Sequence, residues 1–229
     1  MKFMLLLLSC ILAPLALAAT AATPEPSQAR HVVVYVDVLA SAAPRAAAAL
    51  KAYRTESRRE PGATAIDVFA QEGRASGFAI VELWRDGAAF ETHGKAAAME
   101  RLRSELKPLQ LAPLDARVHA AYSLGSAAAL GPHPITLLVH VDVLPPFVAD
   151  YDQILKRYME GTRAETGLQR LEILQTLPPH ANHFTVLESW IDAAAWQAHQ
   201  EAATAQAYRE GLAPMLGALY DERAYRLLD

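Results

Sequence analysis

The sequence has 229 residues, of which 52% are hydrophobic and 20% are charged, as in globular proteins rather than disordered or polytopic membrane chains. Lysine and arginine number 21 against 25 aspartate and glutamate, and no basic run is present. This pattern excludes a phosphate-neutralising surface, so nucleic acid is not an expected partner. The only cysteine, Cys10, lies in a segment expected to be removed, which excludes disulfides and thiol catalysis in the mature chain.

Residues 1–22 have the layout of a secretory signal peptide, with Lys2, an apolar run, and then small residues around Ala18 and Ala21. A proline interrupts the run, which is also shorter than the roughly 20 residues that a spanning helix needs. The alternative is a lipoprotein signal ending at Cys10, but largely apolar residues follow that cysteine. We therefore expect cleavage near Ala18 or Ala21, a periplasmic or secreted product, and no membrane association after cleavage.

The rest of the chain is an internal repeat of two units of about 95 residues each. Residues 34–39 (VYVDVL) match residues 139–144 (VHVDVL) at an offset of 105. Other pairs aligned at this offset are Leu50 and Leu155, Lys51 and Lys156, Tyr53 and Tyr158, Arg58 and Arg163, Glu60 and Glu165, and Gly62 and Gly167. The predicted organisation is a linker at 23–30, a first unit at 31–124, a linker at 125–134 and a second unit at 135–229.

Each unit shows the element order β-α-β-β-α-β, the ferredoxin-like arrangement, which gives an α+β fold class. β-branched runs predict the strands, a proline followed by many alanines predicts the first helix, and Asp86 is a natural cap for the second helix. In the first unit we expect strands at 31–39, 64–71, 76–84 and 117–123, and helices at about 44–59 and 87–106. Such a sheet carries helices on one face only, and the aliphatic residues on both faces of the first strand require that the other face is covered too.

A Glu-x-Trp motif followed by an aspartate and, on the next helix, by a histidine occurs once in each unit. The two copies are Glu82, Trp84, Asp86 and His93, and Glu188, Trp190, Asp192 and His199. In these motifs and in element order, residues 31–229 resemble the antibiotic biosynthesis monooxygenase domains of the dimeric α/β-barrel superfamily. The resemblance implies that two ferredoxin-like units press their open sheet faces together into a barrel, here within one chain. A further homodimer of such barrels is left open.

The resemblance also implies a function, because members of this family oxygenate electron-rich phenols and quinols without metal or flavin. A general base removes a phenolic proton and the anion passes an electron to O2. The expected partners are therefore a small aromatic substrate and O2, with no cofactor, and the sequence contains no nucleotide-binding or zinc motif. Two alternatives stay open: a non-catalytic exported module that binds a small apolar ligand, and a haem-binding or haem-degrading protein. The haem alternative is weakened because the first strand lacks the asparagine of haem-degrading relatives.

Strand parity predicts which side chains line the site. On the first strand of each unit, the polar positions alternate with an all-aliphatic stripe, and on the third strand the glutamate and tryptophan of the motif share one face. If the aliphatic stripe packs under the helices, the polar faces look into one mostly apolar chamber that suits a small aromatic ligand. The residues expected to line it are Tyr35, Asp37, Glu82, Trp84, His140, Asp142, Glu188 and Trp190.

Histidine suits the general base because its pKa lies near neutrality. The candidate catalytic residues are His93 and His199, assisted by Asp37, Asp142 and His140. The candidate substrate-binding residues are Trp84, Trp190, Tyr35, Glu82 and Glu188. Each has a structural alternative, in which the tryptophans are core aromatics and the polar groups satisfy internal hydrogen bonds.

Two further histidines, His180 and His183, are spaced like metal ligands in the segment PPHANH. No carboxylate or cysteine stands close by in the sequence to complete a ligand set. A solvated loop is therefore expected there, and no metal site is predicted.

Overall fold

The computed structural model describes residues 28–124 and 130–228. The predicted signal peptide, its cleavage positions and the first half of the linker between the units lie outside these residues. Among the described residues, no helix combines the length and the apolar character that a membrane span requires.

Both units have the predicted order of strands and helices. The elements of the first unit are β1 (Arg30–Asp37), α1 (Ala43–Ser57), β2 (Ala63–Gln71), β3 (Gly77–Trp84), α2 (Gly87–His93), α3 (Ala97–Leu106) and β4 (Asp115–Leu124). Those of the second unit are β5 (Ile135–Asp142), α4 (Val148–Arg163), β6 (Leu168–Thr176), β7 (His183–Trp190), α5 (Ala193–Glu201), α6 (Ala203–Leu212) and β8 (Asp221–Leu227).

The second helix of each unit differs from the prediction, because it is divided in two. Asp86 caps α2 as expected, accepting a hydrogen bond from the backbone N–H of Ala89 at 2.8 Å. The helix stops about two turns later, after His93, and Ala96 has the extended conformation (ψ 152°) before α3 begins. Ala202 separates α5 from α6 in the same way, with ψ 143°. In both units the break comes just after the motif histidine, which therefore lies in the last turn of a short helix.

The eight strands form one closed barrel in the order β1-β3-β2-β8-β5-β7-β6-β4, and all neighbouring strands are antiparallel. Two seams join the units, β2 with β8 and β4 with β6. The predicted α+β fold, two tandem ferredoxin-like units closed into an intrachain α/β barrel, is confirmed. Each of these eight strands has a neighbouring strand on both sides, although the ladder between β2 and β8 includes only residues 69–71 of β2.

The apolar core has three layers. One cluster lies between the sheet and the helices of the first unit, and a second lies in the same place in the second unit. The third fills the inside of the barrel with side chains from both units: Val33, Tyr35, Phe69, Ala79, Val81, Leu138, Leu174, Leu187 and Tyr225. The inside of the barrel is thus a packed interior shared by both halves of the chain.

Candidate active site

The candidate residues do not line one chamber, because the sheet separates them. In the β1–β3 ladder, Val32 lies opposite Glu82, and side chains directly opposite each other point to the same face. Glu82 and Trp84 therefore share the aliphatic face of β1, and Trp84 belongs to the cluster beneath the helices. Tyr35 has the other parity and lies inside the barrel. The expectation that both groups face a common chamber is wrong.

Beneath the helices of the first unit, five side chains form one chain of hydrogen bonds. The indole N–H of Trp84 donates to Glu82 Oε2 at 2.8 Å, and the hydroxyl of Tyr53 donates to Glu82 Oε1. Nε2 of His93 lies 2.8 Å from the same hydroxyl, and Nδ1–H donates to Glu60 Oε2 at 2.9 Å. The His93 ring stacks on Trp84 with 4.3 Å between ring centroids.

The second unit repeats this arrangement atom for atom. Glu188 accepts hydrogen bonds from Trp190 at 3.1 Å and from the hydroxyl of Tyr158. Nε2 of His199 lies 3.1 Å from that hydroxyl, and Nδ1–H donates to Glu165 Oε2 at 2.8 Å. The His199 ring stacks on Trp190 at 4.6 Å. We call each Glu–His–Tyr–Glu set a relay: Glu60, His93, Tyr53 and Glu82 in the first unit, and Glu165, His199, Tyr158 and Glu188 in the second.

Each relay runs from a partly exposed carboxylate to a buried one. The side chain of Glu60 is 19% exposed, whereas those of His93 and Glu82 are 0% and 1% exposed. Glu165 is 20% exposed, against 3% for both His199 and Glu188. The first glutamate of each relay is therefore more exposed to solvent than its histidine and its second glutamate.

Counting protons shows what a relay can do. Three contacts join its four groups, and each contact needs one hydrogen. Three protons are present either when the histidine is an imidazolium and both glutamates are ionised, or when the histidine is neutral and the buried glutamate is protonated. Moving one proton from Nε2 to the tyrosine oxygen, and the tyrosine proton to the buried glutamate, converts the first form into the second. The relay can therefore pass a proton between histidine and glutamate through the tyrosine hydroxyl without a change in net charge.

In the second unit, burial affects the two protonation forms of the relay unequally. It raises the pKa of Glu188 above the ordinary glutamate value, against the opposing charge of His199. Burial, and secondarily the neighbouring Glu188, also raises the pKa of Tyr158 far above that of a free phenol. Both effects work against the form of the relay in which Glu188 is ionised.

Inside the barrel, Tyr35 lies between charged groups that are already paired. The guanidinium groups of Arg117 and Arg223 are each 4.9 Å from its ring centroid. Each arginine also forms a 2.8 Å ion pair with an aspartate two residues earlier on its own strand, Asp115 or Asp221. Burial raises the pKa of Tyr35, so this phenol stays protonated and serves as a packed cation–π platform.

Asp37 and Asp142 lie at one end of the barrel and have different partners. Asp37 pairs with Arg74 at 3.1 Å. Asp142 Oδ1 lies 2.7 Å from His140 Nε2 and 3.2 Å from His183 Nδ1. The expectation that His183 stands in a solvated loop without a carboxylate is wrong, because the β5–β7 register places it directly opposite Asp142.

Two cavities are relevant to these groups. The first, of about 240 Å³, lies between α4 and α6 and is lined by Ile154, Arg157, Tyr158, Thr204, Ala207, Tyr208 and Gly211. Tyr158 thus belongs both to this cavity and to the second relay. The corresponding depression between α1 and α3 is lined by Arg45, Ala48, Ala49, Ala52, Ser104, Glu105, Pro108 and Leu109, and not by Tyr53.

The other cavity, of about 560 Å³, lies at the barrel end beside β4 and β6 and is lined in part by Arg117, His140, Asp142, His180 and His183. Burial lowers the pKa of His140, and the charge of Arg117 acts in the same direction.

Sequence reasoning missed Tyr53, Tyr158, Glu60 and Glu165 as site residues. All four stand at matched positions of the repeat, and this recurrence was the signal that could have identified them. The tyrosines lie on α1 and α4, so only the packing of helix against sheet shows that they join the motif glutamate to the motif histidine.

The fold and the paired relays define a class of protein: a single-chain α/β barrel of two ferredoxin-like units, each with a Glu–His–Tyr–Glu chain beneath its helices. The family model for antibiotic biosynthesis monooxygenase matches residues 29–104 and 134–211, more than half of the chain. The protein therefore belongs to the antibiotic biosynthesis monooxygenase family, and the resemblance inferred from the sequence is confirmed. No curated protein sequence matches the chain significantly.

Solved structures show the same architecture along most of the chain. A candidate monooxygenase from Fusobacterium nucleatum has a TM-score of 0.77 and 17% identity, covering 89% of this chain and 94% of its own. A candidate monooxygenase from Lactobacillus acidophilus has a TM-score of 0.70 and 12% identity, covering 88% and 95%. An anthrone oxidase-like protein also has a TM-score of 0.70 and 12% identity, covering 87% and 91%. At these identities the likeness establishes the fold alone.

Proposed function

We propose that the protein is an exported, cofactor-independent monooxygenase that oxidises a small quinol or phenol with O2, and that the second unit carries the reaction. The observation that carries the proposal is the position of Tyr158, which lines the cavity between α4 and α6 and also belongs to the second relay. A phenolic ligand in that cavity would lie next to a group able to take up its proton.

The relay supplies the base for such a reaction. In the proposed step the substrate hydroxyl transfers its proton to the Tyr158 oxygen, and the proton that Tyr158 carried passes to Nε2 of the His199 imidazole. Glu165 holds Nδ1–H and stabilises the imidazolium that forms. The phenolate is a far better one-electron donor to O2 than the phenol, so deprotonation is the step that the protein must promote.

The cavity restricts the substrate by size and by chemistry. Its volume of about 240 Å³ is below the common range for ligand pockets, roughly 300–1,000 Å³, so a single-ring compound is favoured. The stacked rings of Tyr158 and Tyr208, 4.2 Å apart, provide aromatic surface beside it. Similarity to an anthrone oxidase-like fold agrees with an aromatic substrate that reacts with O2.

The test is oxygen uptake by the purified mature chain with a panel of hydroquinones and phenols, in the presence of a chelator. His199→Gln keeps much of the shape but removes proton transfer, so turnover should fall by roughly 10²- to 10⁴-fold. His93→Gln is the matched change in the first unit, where Tyr53 does not line the depression between α1 and α3. This variant should lose much less turnover. Wild-type protein that consumes no oxygen with any compound, or a His199→Gln variant with wild-type turnover, contradicts the proposal.

The alternative of a non-catalytic module has one observation in its favour. Both relays are buried and hydrogen-bonded, as a purely structural network would be. The non-catalytic alternative predicts that the protein takes up no oxygen and that substituting His93 or His199 lowers only its stability. The haem alternative is opposed by the relays, because both ring nitrogens of His93 and of His199 are already engaged by protein groups.

Export belongs to the proposal and has its own test. The argument is the signal-peptide layout of residues 1–22. Mass spectrometry of the protein from a periplasmic or secreted fraction should give an N-terminus at Ala19 or Ala22. An intact Met1 would reject cleavage.

A further inference from the structure

The barrel end of the second unit holds two imidazoles against one carboxylate. One ligand atom from each of His140, Asp142 and His183 lies within 4.8 Å of the other two. The side chains are 14%, 22% and 30% exposed, so they are accessible from the cavity of about 560 Å³ that they line. Two histidines and one carboxylate are a recurrent donor set for divalent transition metals.

The carboxylate oxygen at the centre of this cluster lacks an ordinary hydrogen bond. Asp142 Oδ1 is shielded from solvent, and no donor among the described residues reaches it with acceptable hydrogen-bond geometry. The two imidazole nitrogens lie beside it, at 2.7 and 3.2 Å. Donor atoms that share one ion at about 2.0–2.2 Å lie on the order of 3 Å apart, so these spacings suit a common ion.

The first unit shows what the same position looks like without this cluster. There Asp37 corresponds to Asp142 and pairs with Arg74. His180 occupies the place of Arg74, because the hydrogen bond from Gly77 N to Arg74 O recurs as the bond from His183 N to His180 O.

All three positions around the aspartate change together between the units. Tyr35 is matched by His140, Arg74 by His180, and Gly77 by His183. The carboxylate that is neutralised by an arginine in one unit is therefore surrounded by metal-ligand side chains in the other.

The neighbouring charges leave the negative charge of Asp142 available. Arg117 lines the cavity but is paired with Asp115, and Arg223 is paired with Asp221. Among the described residues, no lysine or arginine forms an ion pair with Asp142.

From this geometry we propose a second site: His140, Asp142 and His183 bind one divalent transition-metal ion at the barrel end of the second unit, with Zn²⁺ as the probe. Three protein donors leave at least one coordination position open toward the cavity, as in zinc sites that also bind water or a ligand. The site is separate from the relays, because its side chains point to the inner face of the sheet and the relays lie on the outer face.

The test uses the mature chain without a polyhistidine tag, stripped with a chelator and dialysed. Calorimetric titration should give one Zn²⁺ per chain, and Co²⁺ should develop visible absorption bands from mixed nitrogen and oxygen ligation. Asp142→Asn and His183→Gln should each weaken binding by at least about 10- to 100-fold, since even an outer-shell change has effects of that size.

Two matched variants serve as controls. Asp37→Asn changes the equivalent carboxylate of the first unit, and His133→Gln changes an exposed histidine elsewhere; both should bind as wild type does. Circular dichroism of each variant establishes that it is folded, and Zn²⁺ should raise the thermal midpoint of wild type but not of Asp142→Asn.

The proposal is overturned if wild type binds no ion, or if folded Asp142→Asn and His183→Gln bind Zn²⁺ like the controls. Because the oxygen assay already contains a chelator, failure of this site leaves the proposed oxidation standing, and failure of the oxidation leaves this site standing.

Discussion

Replacing Tyr158 by phenylalanine tests whether the relay is one connected unit. The hydroxyl of Tyr158 is hydrogen-bonded to Glu188 and lies 3.1 Å from Nε2 of His199. Both partners are buried, so the change leaves two internal polar groups without one of their partners. Each such group costs roughly 1–3 kcal/mol, and each keeps another partner, so we expect a loss of about 2–4 kcal/mol in the free energy of unfolding.

The matched control is Tyr151→Phe. Tyr151 is also fully buried, and within residues 28–124 and 130–228 its hydroxyl is hydrogen-bonded to the hydroxyl of Tyr208 alone, at 2.9 Å. This change leaves one neutral group without a partner and should cost roughly 1–3 kcal/mol, toward the lower end. Urea unfolding of both variants followed by circular dichroism gives the comparison. If Tyr158→Phe costs no more than Tyr151→Phe, the hydroxyl does not join the glutamate to the histidine, and the account of the relay is wrong.

Three other predictions concern ionisation and assembly. Burial raises the pKa of Glu188, so the folded chain keeps a proton that the unfolded chain releases. The free energy of unfolding should therefore fall as the pH rises from about 4.5 through the pKa of Glu188 in the folded chain. Glu188→Gln should remove this pH dependence, measured by urea unfolding at several pH values. Burial lowers the pKa of His119 to about 4, so the unfolded chain takes up the proton first, and stability is lost as pH falls from 6.5. The loss should approach about 1.4 kcal/mol per pH unit, and equal acid sensitivity in His119→Gln would contradict it. Residues 31–124 alone expose the barrel-facing Phe69 and should self-associate in light scattering; a monomer with cooperative unfolding would refute this.

Much of the fold could be predicted from the sequence because the repeat presents each pattern twice. The β-branched run at 32–36 and its counterpart at 137–141 both form strands, and the aspartate before each second helix caps it as expected. The alanines at positions 96–98 favour a continuous helix, so the break after His93 was not predicted, although Gly94 is a helix-ending signal and forms the C-cap of α2.

The face of the sheet on which the site lies could not be predicted from parity alone. Alternation divides the residues of each strand into two faces, but it does not say which face of the first strand continues which face of the third, so Glu82 and Tyr35 were expected in one chamber. The polar side chain of Glu82 suggested an open chamber. In the structure Glu82 is buried in the core, where it accepts a hydrogen bond from Tyr53, 29 residues away on α1.

The barrel-end cluster escaped prediction for a related reason. Asp142 and His183 become neighbours only through the register of β5 with β7, so spacing along the chain carries no sign of the contact.

The tandem arrangement explains how one barrel can hold both a repeated site and a unique one. In a symmetric homodimer every side chain occurs twice, so a histidine placed beside one barrel-end aspartate would also stand beside the other. A single chain with two units is free of that constraint. It keeps the relay in both halves, where Tyr53 and Tyr158 make the same contacts, and differs at the barrel end, where Arg74 neutralises Asp37 but His140 and His183 surround Asp142. This difference lies on the inner face of the sheet, where the two units meet. Because the two units are fused but not identical, a group of side chains can occur there in one unit only, which two identical subunits could not achieve.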